Sequence, residues 1–152
     1  MGIPRQQQIR PGGSPLIGLE IAAEDSETEL WGKTAGDLQS DIEIENGAIT
    51  GTLAYIADYS AAGYEGTGHY IALKVSSSES VEGVTYKCTI IDADGAERTA
   101  TLDNDQNIVI RISSTQQKLR FTAEKDGYGT DIETLSLADL TLEAAPDDEE
   151  GT

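Results

Sequence analysis

Apolar and polar residues alternate with a period of two along most of the chain. Such alternation places the apolar side chains on one face of a β-strand. It occurs in residues 19–21, 42–44, 49–55, 70–75, 84–90, 108–112, 119–121 and 135–142. The last segment is expected to form one strand with a break at Ala138-Asp139, or two short strands. The pattern predicts eight or nine strands at short spacing, as in an antiparallel β-sandwich or small barrel.

Two glycine-containing pairs predict tight turns between these strands. Asn46-Gly47 separates two alternating segments, and both residues readily adopt the positive φ values of a type I′ hairpin turn. Asp94-Gly95 is expected to close a second hairpin, between the strand that ends near Ile91 and the segment AERTATL.

A short helix has signals for and against it. Ser26 and Glu29 have the spacing of a capping box, which favours a helix after them. Gly32 and Gly36 in the same segment disfavour one.

The ends of the chain differ in composition from its middle. Residues 1–18 contain prolines at 4, 11 and 15 and form an extended N-terminal arm in this interpretation. Residues 19–143 form the β-sandwich domain. Residues 144–152 form an acidic tail without apolar side chains large enough to pack, and both ends are expected to be disordered in the isolated protein.

Charge is distributed unevenly. The chain has 10 basic and 28 acidic residues and a net charge of −18, while residues 1–18 carry Arg5, Arg10 and no acid. The arm is therefore +2 and the remainder −20. Nucleic acid is an unfavourable partner for such a body, because phosphate contacts need clustered Lys and Arg. No segment approaches the roughly 20 apolar residues that a membrane span requires, so no membrane partner is expected.

Neither a catalytic nor a metal site emerges from the motifs. Asp103, Asp105 and Asn107 match the start of a calcium loop, but Ile108 stands where the loop needs glycine and Ser114 where it needs glutamate. The segment is therefore interpreted as a polar turn. His69 is the only histidine, and no nucleophile elbow accompanies it, so it is interpreted as a strand-start residue at the rim. We expect no enzyme activity and no cofactor.

Three further side chains have competing interpretations. Cys88, the only cysteine, excludes an intrachain disulfide and is expected in the core. Trp31 is also expected to fill the core rather than to bind a partner. Tyr59, Tyr64 and Tyr70 lie in a glycine-rich segment that suits a contact surface. The alternative for these tyrosines is a connection at the rim of their own sheet.

The segment VTYKCTIIDADGAERTATL resembles the late hairpin of immunoglobulin-like domains, in which a tyrosine lies two residues before a cysteine and a turn follows. Tyr86, Cys88 and Asp94-Gly95 carry the resemblance over about 20 residues. It implies an immunoglobulin-like sandwich, although a partner cysteine is missing and further strands follow.

A second resemblance covers roughly residues 30–112, through LWGKTAGDLQSDIEIENGAITGTLAYI, GHYIALKV and LDNDQNIVIRI. These segments are similar to small capsid-associated proteins of tailed bacteriophages, of the decoration or head-fibre type. The resemblance implies a virion structural protein, assembled in the host cytoplasm, whose partner is the major capsid protein. It leaves open whether the copies also form a homo-oligomer on the capsid.

The arm is the predicted attachment segment, because a positively charged, unpacked segment can become ordered along a neighbouring surface. An alternative is an adhesin or carbohydrate-binding module of a bacterial surface, and a hydrolase is disfavoured by the lone histidine. The predicted partner-binding residues are Ile3, Arg5, Ile9, Arg10, Tyr59 and Tyr64.

Overall fold

The alternating segments form strands in the computed structural model, which describes residues 15–61, 64–100, 102–103 and 105–145. The elements, in chain order, are β1 (Leu19–Ala23), β2 (Glu29–Leu30), β3 (Lys33–Thr34), α1 (Ala35–Leu38), β4 (Gln39–Glu45), β5 (Ala48–Leu53), β6 (Ser60–Ala61), β7 (Tyr64–Glu65), β8 (His69–Ser77), β9 (Thr85–Ile91), β10 (Glu97–Ala100), β11 (Asn107–Ile112), β12 (Lys118–Glu124), β13 (Asp131–Ser136) and β14 (Leu140–Leu142). The predicted all-β class is confirmed. Within the described residues, ten strands have three or more residues, against the eight or nine predicted.

Two sheets contain all ten of these strands. In the smaller sheet β8 lies between β1 and β11, and both pairs are antiparallel. In the larger sheet the order is β10, β9, β12, β13 and β5, with β4 on the other side of β5. The pairs are antiparallel except that β13 and β14 run parallel to β5.

The main core lies between the two sheets. Ile71, Leu73 and Val75 of the smaller sheet share one apolar cluster with Cys88 and Phe121 of the larger sheet, and all five are fully buried. Two sheets that bury their inner faces against each other make a sandwich. The antiparallel β-sandwich predicted from the period of two is therefore confirmed.

The end of the sandwich shows the predicted break. Ser136 lies opposite Ala48 and Leu140 opposite Gly51, so the β13–β14 side contains one residue more than β5 does. The chain turns at this point, where Leu140 N donates to Leu137 O at 3.1 Å. The segment therefore forms two short strands, the second of the two alternatives that the sequence allowed.

Both predicted hairpin turns are present. Asn46 and Gly47 have φ values of 55° and 77° and join β4 to β5, as a type I′ turn requires. Between β9 and β10, Gly95 has φ 93° and its N–H donates to Asp92 O at 2.8 Å. That turn ends in a left-handed glycine, which is the three-residue class of hairpin loop.

Replacing Gly47 with valine is expected to lower the free energy of unfolding by about 1–3 kcal/mol, because a β-branched residue resists positive φ. The nearest atom to an added Cβ is Thr134 O at 3.8 Å, so the cost comes from the backbone and not from a clash. Urea unfolding measures it. Thr50→Val, at an exposed position of β5, is the control, and equal stability of the two variants would contradict the turn assignment.

A short helix forms, but not directly after the capping-box signal at Ser26 and Glu29. Glu29 of the predicted capping box lies in β2, and the single helical turn, α1, begins later, at Ala35. Thr34 and Asp37 cap it, with Thr34 N donating to Asp37 Oδ2 at 3.1 Å. Cross-strand pairing of β2 with β3 therefore overrides the local helix signal at Ser26–Glu29.

A second, smaller core covers the outer face of the smaller sheet. Tyr70, Ala72 and Val109 point away from the main core and are fully buried. The side chains that cover them come from β2, α1 and the segment before β6; they are Leu30, Ala35, Leu38, Ile56 and Tyr59. The chain thus adds a partial third layer, which we call the small-core layer, on one side of the sandwich.

Candidate interaction surface

The predicted attachment residues of the arm, Ile3, Arg5, Ile9 and Arg10, lie outside the described residues, so their role stays a prediction. The backbone of Tyr64 lies in β7, but its side chain is also outside the described part. Two features of the described body bear on attachment: the point where the arm joins the sandwich, and the exposed edge of the small-core layer.

Residues 15–19, which we call the arm root, are fastened to the larger sheet. Asp131 Oδ2 accepts hydrogen bonds from Gly18 N and Leu19 N, each at 2.9 Å. Gly129 N donates to Pro15 O at 3.0 Å, in the turn before β13. The charged acceptor strengthens its two bonds relative to neutral ones.

The arm root is also fastened to the smaller sheet. The Ser77 hydroxyl donates to Ile17 O, and Ser78 N donates to Gly18 O at 2.7 Å. The Ile17 side chain is fully buried. Residues 15–18, which the sequence assigned to the extended arm, therefore belong to the packed body, and both sheets hold the point from which the preceding residues leave.

The Tyr59 side chain is packed inside the small-core layer. It is 4% exposed, and its hydroxyl donates to Leu30 O at 2.6 Å. The Tyr70 ring meets it edge-on at a centroid distance of 4.9 Å, and the Tyr70 hydroxyl donates to Gly66 O at 2.8 Å. Burial raises the pKa of Tyr59 to about 12. The prediction of Tyr59 as a partner-contact side chain is corrected, because its ring supports the fold and is not offered to a partner.

Trp31 occupies the opposite position from the one expected. It is 42% exposed, at the tip of the β2–β3 hairpin, and not in the core. Trp31 and Gly32 have φ values of 47° and 87°, so they form a two-residue turn with positive φ at both positions. Asparagine or glycine ordinarily occupies the first such position, since a bulky residue is strained there. A glycine in the second place of the turn was the only sequence signal for this geometry.

Residues 29–34, which we call the Trp31 hairpin, are held in place by packing and hydrogen bonds at both strands. Leu30 is 3% exposed and packs in the small core, and its carbonyl accepts the Tyr59 hydroxyl. On the other strand, Thr34 is tied to Asp37 at the start of α1. The exposed indole is therefore mounted on a short, well-supported turn.

Acidic side chains surround the Trp31 hairpin along the chain. Between residues 24 and 38 there are five acids and one lysine, a net charge of −4. Four of these acids are exposed: Asp25, Glu27, Glu29 and Asp37. The surface thus combines one large aromatic side chain with concentrated negative charge.

The candidate catalytic groups, His69 and Cys88, have structural roles. His69 begins β8, as expected, with its Nε2 at 2.7 Å from Glu143 O and its ring edge-on to Tyr55. Cys88 is fully buried, which confirms the core assignment, and burial raises the pKa of its thiol to about 12. A thiol so protonated is a poor nucleophile.

The described residues of the DNDQN segment, 103 and 105–107, form the expected polar turn before β11. Asp103 Oδ1 accepts hydrogen bonds from Asp105 N at 2.8 Å and Asn107 N at 2.9 Å, and Oδ2 accepts one from Asn107 Nδ2 at 3.1 Å. Its carboxylate therefore organises the backbone of the turn. Among the described residues, no group of three or more His, Cys, Asp or Glu side chains is arranged to hold a metal ion.

Glu24 is the one acid of this region that is buried. It is 8% exposed, and its Oε2 has no hydrogen-bond partner within the described structure. Burial raises the pKa of Glu24 above its ordinary value; nearby Lys74 lowers it, and the charges of Asp103 and Asp25 raise it further. The fold is therefore less stable with Glu24 ionised than with Glu24 protonated.

Glu24→Gln is expected to be more stable than the natural chain at pH 8, and the difference should shrink as the pH falls towards 4.5. A raised native pKa means that the folded state binds the extra proton in this interval, so the natural chain loses stability as the pH rises through it. Urea unfolding at several pH values measures the difference. Glu20→Gln, at an exposed position of β1, is the control. A less stable Glu24→Gln at pH 8 would show that the attraction of Lys74 outweighs burial.

Searches of protein-family models, curated proteins and solved structures found no match to this chain. In the part of the chain that the structure describes, no helix has the length and apolar character needed to cross a membrane.

Proposed function

We propose that this chain is a non-enzymatic virion structural protein that binds the outer surface of a bacteriophage capsid through its N-terminal arm. The observation that carries the proposal is the arm root, where both sheets hold residues 15–19. A segment that attaches a body to a particle must transmit force to that body. A loosely joined leader would not need hydrogen bonds to two sheets at its base.

The charge distribution supports the same division of roles. The arm carries +2 and the remainder −20, so the arm is attracted to acidic surfaces that would repel the body. Ile3 and Ile9 add apolar side chains that can pack against a neighbouring subunit. We take the major capsid protein as the partner, and the virion, assembled in the host cytoplasm, as the location.

The acidic body suits a position that faces solvent. Residues 19–152 carry a net charge of −20, so two copies repel each other at separations within the screening distance, about 8 Å at physiological ionic strength. The capsid lattice, and not contacts between copies, would then set their spacing. The same repulsion would keep decorated particles apart.

The structural roles of His69 and Cys88 support a function without catalysis. His69 is hydrogen-bonded to backbone at a strand end, and Cys88 is sealed in the core. These are the chain's only histidine and only cysteine. Without them, a triad or thiolate mechanism has no base or nucleophile of the usual kind.

One observation favours a second candidate, an adhesin or carbohydrate-binding module of a bacterial surface. Trp31 is exposed, and exposed aromatic rings can stack on sugars. Carbohydrate platforms usually present several aromatic rings on one face, whereas Trp31 is the only exposed aromatic side chain among the described large hydrophobics. We therefore rank this candidate second.

Co-sedimentation with undecorated capsids tests the proposal. We expect the full-length protein to pellet with the particles and to saturate at a fixed number of copies per capsid subunit, and particles that already carry decoration protein should bind less. A glycan-binding assay on the same protein should be negative. Binding to a polysaccharide with no binding to capsids would favour the second candidate and overturn the first.

A further inference from the structure

We propose that the Trp31 hairpin is the body's own contact with its partner, and that the partner presents an apolar pocket bordered by lysine and arginine side chains. The inference rests on the proposed function, since we take this partner to be the capsid surface. It adds to the arm a second contact, of opposite charge, on the sandwich itself.

The first argument is the exposure of the indole. Trp31 is 42% exposed at the most projecting point of a hairpin, and it is the only tryptophan in the chain. Tryptophan is among the residues most enriched where truncation weakens an interface strongly. The other exposed large hydrophobic residue in the described part of the chain, Ile132, is in β13 of the larger sheet, beside Thr122, and does not stand on a projecting turn.

The second argument is the backbone at Trp31. Its φ of 47° is one that asparagine, aspartate or glycine would adopt with less strain. A bulky side chain in a sparsely populated backbone region is destabilising, and such residues concentrate at functional sites. Contact with a partner would account for tryptophan at this position, whereas stability alone would not.

The third argument is preorganisation. The hydrogen bond from Tyr59 to Leu30 O and the packing of Leu30 in the small core fix the hairpin base. An indole held on a fixed turn loses little conformational freedom when it inserts into a pocket, which favours affinity.

The fourth argument identifies the chemistry of the partner. The exposed acids Asp25, Glu27, Glu29 and Asp37 lie along the chain on both sides of Trp31, with Lys33 as the single base. Interfaces pair surfaces of opposite potential, so the pocket that receives the indole should be bordered by Lys and Arg. A second copy of this chain is disfavoured as the occupant, because it would bring the same negative charge.

The test measures capsid affinity of the full chain by co-sedimentation. Trp31→Ala is expected to reduce the affinity about 10- to 100-fold, as for an interface residue of this kind. Trp31→Asn should reduce it equally while raising or preserving the melting temperature, because asparagine suits the turn. Ile132→Ala is the matched control and should leave the affinity unchanged.

A second measurement observes the indole directly. Growth with 5-fluorotryptophan gives a protein with a single fluorine, because Trp31 is the only tryptophan. Addition of unlabelled capsids should shift its ¹⁹F resonance, whereas broadening alone would follow from attachment of any part of the chain to so large a particle. An unchanged chemical shift under conditions in which the protein co-sediments would contradict the proposal.

Charge reversal tests the predicted border of the pocket. Glu27→Lys with Glu29→Lys should weaken capsid binding more than Glu43→Lys with Glu45→Lys, a pair of exposed acids in β4 that changes the net charge equally. Stronger binding by the first double variant would mean that the pocket border is acidic, which overturns the partner chemistry proposed here.

The possible failures are distinguishable. If the full-length protein does not bind capsids, the proposed function itself is wrong. If it binds and Trp31→Ala binds equally well, the proposed function stands and the Trp31 contact is wrong. If sedimentation velocity shows self-association that Trp31→Ala abolishes, the occupant is a second copy of this chain, which also contradicts the proposal.

Discussion

Phe121→Ala is expected to lower the free energy of unfolding by about 3–5 kcal/mol, the usual range for removing a fully buried aromatic ring. Phe121 is the only phenylalanine and is 0% exposed, in the cluster that joins the two sheets. Its cross-strand partners are Cys88 and Glu133, and it is the only aromatic residue among the buried members of that cluster in the described structure, so its truncation leaves a large cavity. Native proteins typically have a free energy of unfolding of about 5–15 kcal/mol, so the loss would be a large fraction of the total.

Urea or guanidinium unfolding, followed by far-ultraviolet circular dichroism, measures this loss. Ile132→Ala is the control, because Ile132 lies on the neighbouring strand of the same sheet but is 63% exposed. It should change the free energy of unfolding by no more than about 0.5 kcal/mol. Similar values for the two variants would mean that Phe121 does not lie at the centre of the core.

Deletion of residues 1–14 should separate attachment from folding. The shortened protein keeps Pro15 and every hydrogen bond of the arm root, so its free energy of unfolding should change by less than about 1 kcal/mol. Its affinity for undecorated capsids should fall on the order of 100-fold, the scale of losing a few strong interface contacts. Denaturant unfolding and co-sedimentation measure the two effects.

Arg5→Glu with Arg10→Glu should reproduce part of the binding loss, and its effect should be largest at low salt, where charges are screened least. Gln6→Glu with Gln8→Glu adds negative charge but keeps both arginines, so it should weaken binding less. The charge-matched comparison is Arg5→Gln with Arg10→Gln, which lowers the net charge by 2, as Gln6→Glu with Gln8→Glu does. Equal effects of these two matched variants would show that the arm acts through net charge alone, without specific arginine contacts.

Much of the sandwich could be predicted because its signals are local. The alternation in residues 108–112 and 119–121 marks which side chains enter the main core, and Ile108, Ile110, Ile112, Leu119 and Phe121 are all buried there. The Asn46-Gly47 turn could be predicted for the same reason, since φ preference belongs to the residues themselves.

The small-core layer could not be predicted, because it depends on contacts between distant parts of the chain. Ala72 reads as a surface residue between Ile71 and Leu73, yet its amide is paired with Gln39 Oε1 at 2.8 Å and its side chain is covered. The parallel pairing of β14 with β5 is equally non-local, since it joins residues almost 90 positions apart. Alternation states which residues share a face, but not how many layers cover it.

The same limit explains the exchange of roles between Tyr59 and Trp31. Composition marked the tyrosine segment as a surface, and size marked the tryptophan as a core residue. The structure buries Tyr59 beneath the hairpin that exposes Trp31. Only the pairing of β2 with β3, two residues each, places the tryptophan at a turn, and strands so short leave no periodic signal.

Cryo-electron microscopy of undecorated capsids incubated with the full-length protein tests the central claim most directly. We predict added density of sandwich size on the outside of the shell at lattice-related positions. A narrow connection that leaves the sandwich at Pro15 should join this density to the capsid. The Trp31 hairpin should face the shell. A shell without added density, with protein present in excess, would contradict the capsid-binding account.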